Sequence, residues 1–171
     1  MEPITIRKAT IHDSHSIYHI MKKASDSLTD KSLFVCDNLE YVQNTISKNG
    51  FAVVACASNN KIVGSFLFRY PHNSPENLGY DIGLSNDTLL KVVHMESVVV
   101  LPEYRGQHLH SKMLSFGESL IDHSKYVHFL ATISPDNPAS FHSFEKCGYQ
   151  LITTKEKYGG FIRRIYKKTI L

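Results

Sequence analysis

The chain is 171 residues long, 42% hydrophobic and 20% charged, with a formal net charge of +3. That is enough sequence to bury one sizeable core, and the composition is that of a globular protein rather than a disordered one. So small a charge gives little support to a nucleic-acid or membrane partner. No apolar run approaches the roughly 18 residues of a membrane span, and Met-Glu-Pro-Ile-Thr-Ile-Arg has no apolar signal core. Cys36, Cys56 and Cys147 are an odd set without metal-ligand spacing and fit a reducing compartment. The expectation is a cytoplasmic protein forming one domain over residues 1–171.

In chain order, Ile4–Ala9 alternates and is β-branched, a first strand. Asp13 or Ser14 is placed to cap a helix carrying Ile17, Ile20, Met21 and Ala24 on one face. Asp37 or Asn38 precedes a second helix with Leu39, Val42 and Ile46, which Asn49-Gly50 stops. Phe51–Ala57 and Lys61–Tyr70 read as a hairpin turning at Ser58-Asn59-Asn60. Residues 71–81 are a polar loop, and Ser85–Val93 predicts a short helix.

The most informative stretch follows. Val98, Val99, Val100 and Leu101 predict a central strand buried on both faces, which Pro102 ends for want of an N–H. Arg105 and Gly106 form a polar turn, after which Leu109, Met113, Phe116 and Leu120 recur at helical spacing. A strand, a turn and a helix start aim several backbone amides and the positive end of a helix dipole at one place, which suits an anion such as pyrophosphate. Tyr126–Ile133 is then a second apolar strand, completing a βαβ unit with parallel pairing. Asn137 is a good N-cap with Pro138 at the first helical position, and Gly148 ends that helix. Tyr149–Thr154 and Phe161–Lys168 close the chain as a hairpin across Tyr158-Gly159-Gly160.

Val-Leu-Pro-Glu-Tyr-Arg-Gly-Gln-His-Leu-His, residues 100–110, resembles the acyl-CoA-binding motif of the GCN5-related N-acetyltransferase (GNAT) superfamily, in which a strand leads into Arg/Gln-x-x-Gly-x-Gly/Ala. Asn137-x-x-Ser140-x-x-x-Phe144-Glu145-Lys146-Cys147-Gly148-Tyr149 is similar to a second family signature, Asn-x-x-Ala-x-x-x-Tyr-Glu-Lys-x-Gly-Phe. The order β, α, α, β, β, β, α, β, α, β, β matches the family along nearly the whole chain. The resemblance implies an α/β fold with a central mixed sheet flanked by helices on both faces. It also implies acetyl-CoA as acyl donor and a small-molecule or peptide amine as acceptor; no metal is expected, since neither His108 and His110 nor His15 and His19 have a carboxylate or cysteine at a third-ligand spacing. Family members are often dimers, so a homodimer is among the expected states.

Residue by residue, the resemblance places the CoA pyrophosphate on Arg105, Gly106, Gln107, His108, Leu109, His110 and Ser111. It places the pantetheine arm along Val98, Val99 and Val100 and against Asn137, Ser140 and Phe144, where the fourth and fifth strands of the family splay apart. An N–H of Val99 or Val100 is then the oxyanion donor. His108 and His110 occupy the motif's later glycine positions, where a Cβ crowds a phosphate. They read either as hydrogen-bonding or cationic partners of the phosphates or as exposed residues at a helix start. Asn137 serves as helix cap, as pantetheine contact, or as both.

An alkyl amine has a pKa near ~10.4, so its attack on a thioester needs a base at neutral pH. Glu96 stands where many family members carry a glutamate that acts as base or holds the acceptor; the plainer reading pairs it with a basic side chain. The family's general-acid tyrosine is replaced by Phe144. A thiol pKa near ~8.5 makes the thiolate a tolerable leaving group even so, and Tyr149, Tyr158, His142 or water are the possible substitutes. Glu76 and Asp81 either attract a cationic acceptor or are solvated loop carboxylates. The missing tyrosine and the two histidines also support a rival reading, a non-catalytic acyl-CoA-binding module. Arg163, Arg164, Lys167 and Lys168 read as the charged exposed side of an edge strand rather than as a nucleic-acid site.

Overall fold

The alternating and β-branched runs become strands, and the capped 3.6-residue repeats become helices, in the computed structural model, which describes residues 2–170. Its contacts divide the chain into two compact units. One runs to Phe68 and resumes over Ser97–Leu120; the other comprises Arg69–Glu96 and continues from Ile121.

In the first unit, β1 (Thr5–Lys8) pairs antiparallel with β2 (Gly50–Cys56). A turn in which the Asn60 N–H donates to the Ala57 carbonyl leads to β3 (Ile62–Arg69). Helix α1 (Ser14–Ser27) buries Ile17, Ile20 and Met21. Asp13 does not cap it. Its carboxylate accepts from the Thr10 N–H at 2.7 Å and from both terminal nitrogens of Arg7 at 2.8 and 2.9 Å. The Arg7 hydrogen bonds hold that carboxyl down to about 2. Helix α2 (Leu39–Asn44) is capped by Asn38, which accepts from the Tyr41 N–H, and passes through a wider π turn over Thr45–Asn49.

The second unit holds α3 (Asn86–Leu89) and the start of β4 (Val92–Val100). After Ile121 it holds β5 (His128–Ile133), α5 (Pro138–Lys146), β6 (Gln150–Lys157) and β7 (Phe161–Thr169). β5 begins at His128 rather than at Tyr126, and its parallel ladder with β4 has three pairs, ending at His94↔Leu130. β5 continues against β7 as far as Ile133↔Arg164, antiparallel, and β7 pairs with β6. β4 belongs to both units, and the seven strands of the mixed sheet follow the order β1-β2-β3-β4-β5-β7-β6. Helices flank this sheet, the expected α/β class.

Two expectations need correction. β7 is not an edge strand; β6 is the outer one. Arg163 is 4% exposed and lies 5.8 and 5.3 Å from the ring centroids of Tyr158 and Phe161, and Arg164 stacks 4.7 Å over Phe141. These guanidiniums are spent on aromatic faces rather than displayed to solvent. Likewise helix α4 (Leu109–Ser119) buries Leu109 and Met113 as expected, but its other inward residues are Leu114 and Gly117, while Phe116 is half-buried and Leu120 exposed. The helix faces inward through Gly117 because a residue without a Cβ lets its backbone lie on the ring of Phe68. Among the described residues, no helix is long and apolar enough to cross a membrane.

Candidate active site

In the first unit the strand-turn-helix stretch has the geometry of an anion cradle. β4 starts at Val92, and only one face of its valine run is fully covered: Val99 is buried, while Val98 and Val100 are half-buried. This corrects the two-faced burial expected from composition. Past the strand, the Leu101 N–H still donates to the Val63 carbonyl, and Pro102–Tyr104 forms a single 3₁₀ turn. The Arg105 Nε donates back to the Val100 carbonyl at 3.3 Å, stapling the turn to the strand end.

Gly106 then takes a left-handed conformation (φ 78°), and a Cβ built on it meets nothing within 4 Å, so its outer side is open. His108 is also left-handed (φ 57°, ψ 25°) and is the N-cap of α4, without a side-chain capping bond. Histidine, like Asn and Asp, enters this region more readily than most residues. The first helical bond runs from the Lys112 N–H to the His108 carbonyl. The amides of Leu109, His110 and Ser111 therefore fall in the first helical turn, where no intrahelical acceptor exists. Gln107, half-buried, completes the turn.

His110 does not behave as the sequence suggests. Both of its ring nitrogens are buried, and the ring meets Phe66 edge-on at 5.5 Å. Burial holds its pKa down to about 4, so the imidazole is neutral at physiological pH. Neither the exposed nor the cationic reading applies to this side chain; the helix periodicity turns it to the core, leaving its backbone amide in the first turn.

In the second unit Glu96 is the centre of a polar network. Its side chain is 18% exposed, and its Oε1 lies 3.7 Å from Arg69 Nη1 and 3.4 Å from His94 Nδ1. Arg69 also pairs with Glu76 Oε2 at 3.0 Å and donates to Ser74 Oγ at 3.3 Å. Thus Glu96 does meet a basic side chain, and it meets a histidine as well. Glu76 is 72% exposed, as the solvated reading expects, with Arg69 as its partner, whereas Asp81 is 18% exposed and pairs with Lys157 at 2.7 Å and Lys155 at 3.7 Å. Arg69 and His94 were not singled out in the sequence. The signal for His94 was its two-residue spacing from Glu96, legible only once the strand is known to begin at Val92.

Asn137 caps α5, its Oδ1 accepting from the Ser140 N–H at 3.2 Å. Phe144 is 2% exposed and meets the equally buried Tyr149 edge-on at 5.0 Å, which removes Tyr149 as a solvent-facing acid. His142 is exposed and pairs with Glu145. The Tyr158 hydroxyl lies 2.7 Å from Thr132 Oγ1, on β5 beyond the end of its ladder with β4. Among the described residues, no group of three or more His, Cys, Asp or Glu side chains is placed to hold a metal ion.

The sequence model of the acetyltransferase (GNAT) family matches residues 15–149. No curated protein matches the chain. Among solved structures, a GNAT superfamily phosphinothricin acetyltransferase from Sinorhizobium meliloti in complex with AcCoA has a TM-score of 0.72 at 19% identity, over 98% of this chain and 88% of that one. The ribosomal-protein-S18-alanine N-acetyltransferase from Escherichia coli has a TM-score of 0.71 at 14% identity, over 98% and 94%. An aminoglycoside acetyltransferase in complex with coenzyme A and kanamycin has a TM-score of 0.70 at 16% identity, over 98% and 95%. At these identities the likeness establishes the fold.

Proposed function

From the premise that the chain belongs to the acetyltransferase (GNAT) family, we propose that it is an N-acetyltransferase that moves an acetyl group from acetyl-CoA to a primary amine of a small molecule or peptide, by direct attack in a ternary complex. The observation that carries this reading is the turn at Gly106 and His108. Two left-handed residues, an open side above Gly106 and an uncapped helix start present amides to an anion. That arrangement fits a pyrophosphate, with Arg105, Gly106, Gln107, His108, Leu109, His110 and Ser111 as its holders, the two histidines through their backbone.

Bound there, acetyl-CoA supplies a thioester carbonyl open to attack by an amine. Val98, Val99 and Val100 are assigned to the pantetheine arm, with an N–H of Val99 or Val100 donating to the developing oxyanion. Asn137, Ser140 and Phe144 are assigned to the same arm, Asn137 keeping its cap. Glu96 takes the proton of the attacking amine, directly or through one water. Phe144 has no proton to give, and the thiolate leaves unassisted or with water. The solved neighbours show the range of amines the fold serves, from an aminoglycoside complex to an alanine N-acetyltransferase.

Calorimetric titration with acetyl-CoA, followed by turnover on a panel of primary amines, tests the reading. Binding that is lost in His108→Glu, together with turnover that is lost in Glu96→Gln, is the expected result. Binding without turnover on any amine identifies the acyl-CoA-binding module that Phe144 favours, and no binding at all overturns the donor site.

A further inference from the structure

His94 lies two residues before Glu96 on β4, so both side chains project from the same face of the strand. The His94 side chain is 5% exposed. Its Nε2 accepts the Leu78 backbone N–H at 3.0 Å, and its Nδ1 lies 3.4 Å from Glu96 Oε1. A nitrogen that accepts a hydrogen bond carries no proton, so the ring proton is on Nδ1, the nitrogen that faces the carboxylate. The donor at Leu78 is held in turn. The neighbouring Asn77 is 1% exposed; its Nδ2 donates to the carbonyls of His72 at 2.7 Å and Leu89 at 3.1 Å, and its Oδ1 accepts from the Gly79 N–H at 2.8 Å. Arg69 Nη1 stands 3.7 Å from the same carboxylate oxygen, Oε1.

We propose that His94, in its Nδ1–H form, is a positioning residue that orients the Glu96 carboxylate for proton transfer, and that the chain of hydrogen bonds Leu78–His94–Glu96 ties this orientation to the loop over residues 71–84. The inference rests on the reading of Glu96 as the base. The imidazole itself exchanges no proton with substrate. Its Nε2 is committed to the loop backbone, which fixes the tautomer, and the tautomer fixes what Glu96 meets.

Two substitutions separate the two hydrogen bonds. In His94→Gln a side-chain oxygen reaches the place of Nε2 and can accept from Leu78, but the donor at the place of Nδ1 is lost. In His94→Asn the amide nitrogen stands near the place of Nδ1 and can donate to Glu96, while the Leu78 N–H loses its acceptor. With acetyl-CoA and a panel containing a polyamine, an aminosugar and a peptide with a free N-terminus, kcat of His94→Gln falls about tenfold or more, with acetyl-CoA affinity unchanged. His94→Asn recovers kcat well above the Gln variant despite a lower unfolding midpoint. Long-range ¹H–¹⁵N spectra of the wild type show the Nδ1–H tautomer, and its proton resonance moves in Glu96→Gln.

A His94→Gln variant within twofold of wild-type kcat overturns the positioning role, as does a wild-type spectrum showing the proton on Nε2. If Glu96→Gln keeps wild-type turnover, the base reading fails instead. Absence of wild-type turnover on every amine overturns both.

Discussion

A Cβ added to Gly117 stands 2.0 Å from Cζ of Phe68 and under 3 Å from both neighbouring ring carbons. Phe68 has no exposed surface, and its ring is stacked on Phe51 at 4.7 Å and on Phe66 at 4.8 Å between centroids, so it has no room to retreat. Gly117→Ala gains helix propensity of about 1 kcal/mol but overpacks the core by about 1–3 kcal/mol and strains the rings further. A net loss of stability in urea unfolding is expected. Adding Phe68→Leu restores part of it, because the two residues share one contact.

Asn77 is expected to be among the costliest polar residues to remove. Its side chain makes three hydrogen bonds in a buried place, to the backbone at His72, Leu89 and Gly79. Asn77→Ala leaves two carbonyls and an N–H without that partner, at about 2–4 kcal/mol in total. Denaturant unfolding measures the loss. Faster amide exchange of Leu78 and Gly79 locates it in the loop.

His108→Gly relieves a left-handed conformation at φ 57° and is expected to raise stability by about 1 kcal/mol. It also removes a Cβ from the mouth of the turn, so acetyl-CoA binds more tightly in calorimetry. An unchanged affinity with raised stability assigns the His108 side chain to the outside of the phosphate site.

His110 makes the protein acid-sensitive in a defined window. Its pKa is lowered from 6.5 to about 4 by burial, so the unfolded chain binds its proton first as pH falls. Stability from this group is complete above about 6.5, is lost between about 6.5 and 4, and does not change further below that. The full shift is worth up to about 3 kcal/mol. His110→Phe flattens the pH dependence of the unfolding midpoint over that interval. The acid loss that remains below pH 4 belongs to carboxylates such as Asp13, which Arg7 holds at about 2.

Much of this protein was determined by short-range chemistry and so was legible in the residues themselves. Asn38 and Asn137 cap their helices, Gly148 ends α5 at φ 90°, and the order of strands and helices follows from spacing alone. The strand-turn-helix motif was legible too, because Pro102, Arg105 and Gly106 act on their own backbone. What required tertiary structure was everything decided by a partner distant in the chain. Glu96 acquires Arg69 through the end of β3, and His94 acquires a tautomer through Leu78, a loop amide with no mark in the sequence. His110 turns from an apparent phosphate ligand into a neutral, half-buried side chain because Phe66, on β3, is where its ring packs. Arg163 is buried because β7, not β6, lies inside the sheet. Local rules set which element a residue joins, and long-range pairing sets which neighbours it meets; charge state, tautomer and burial depend on the neighbours.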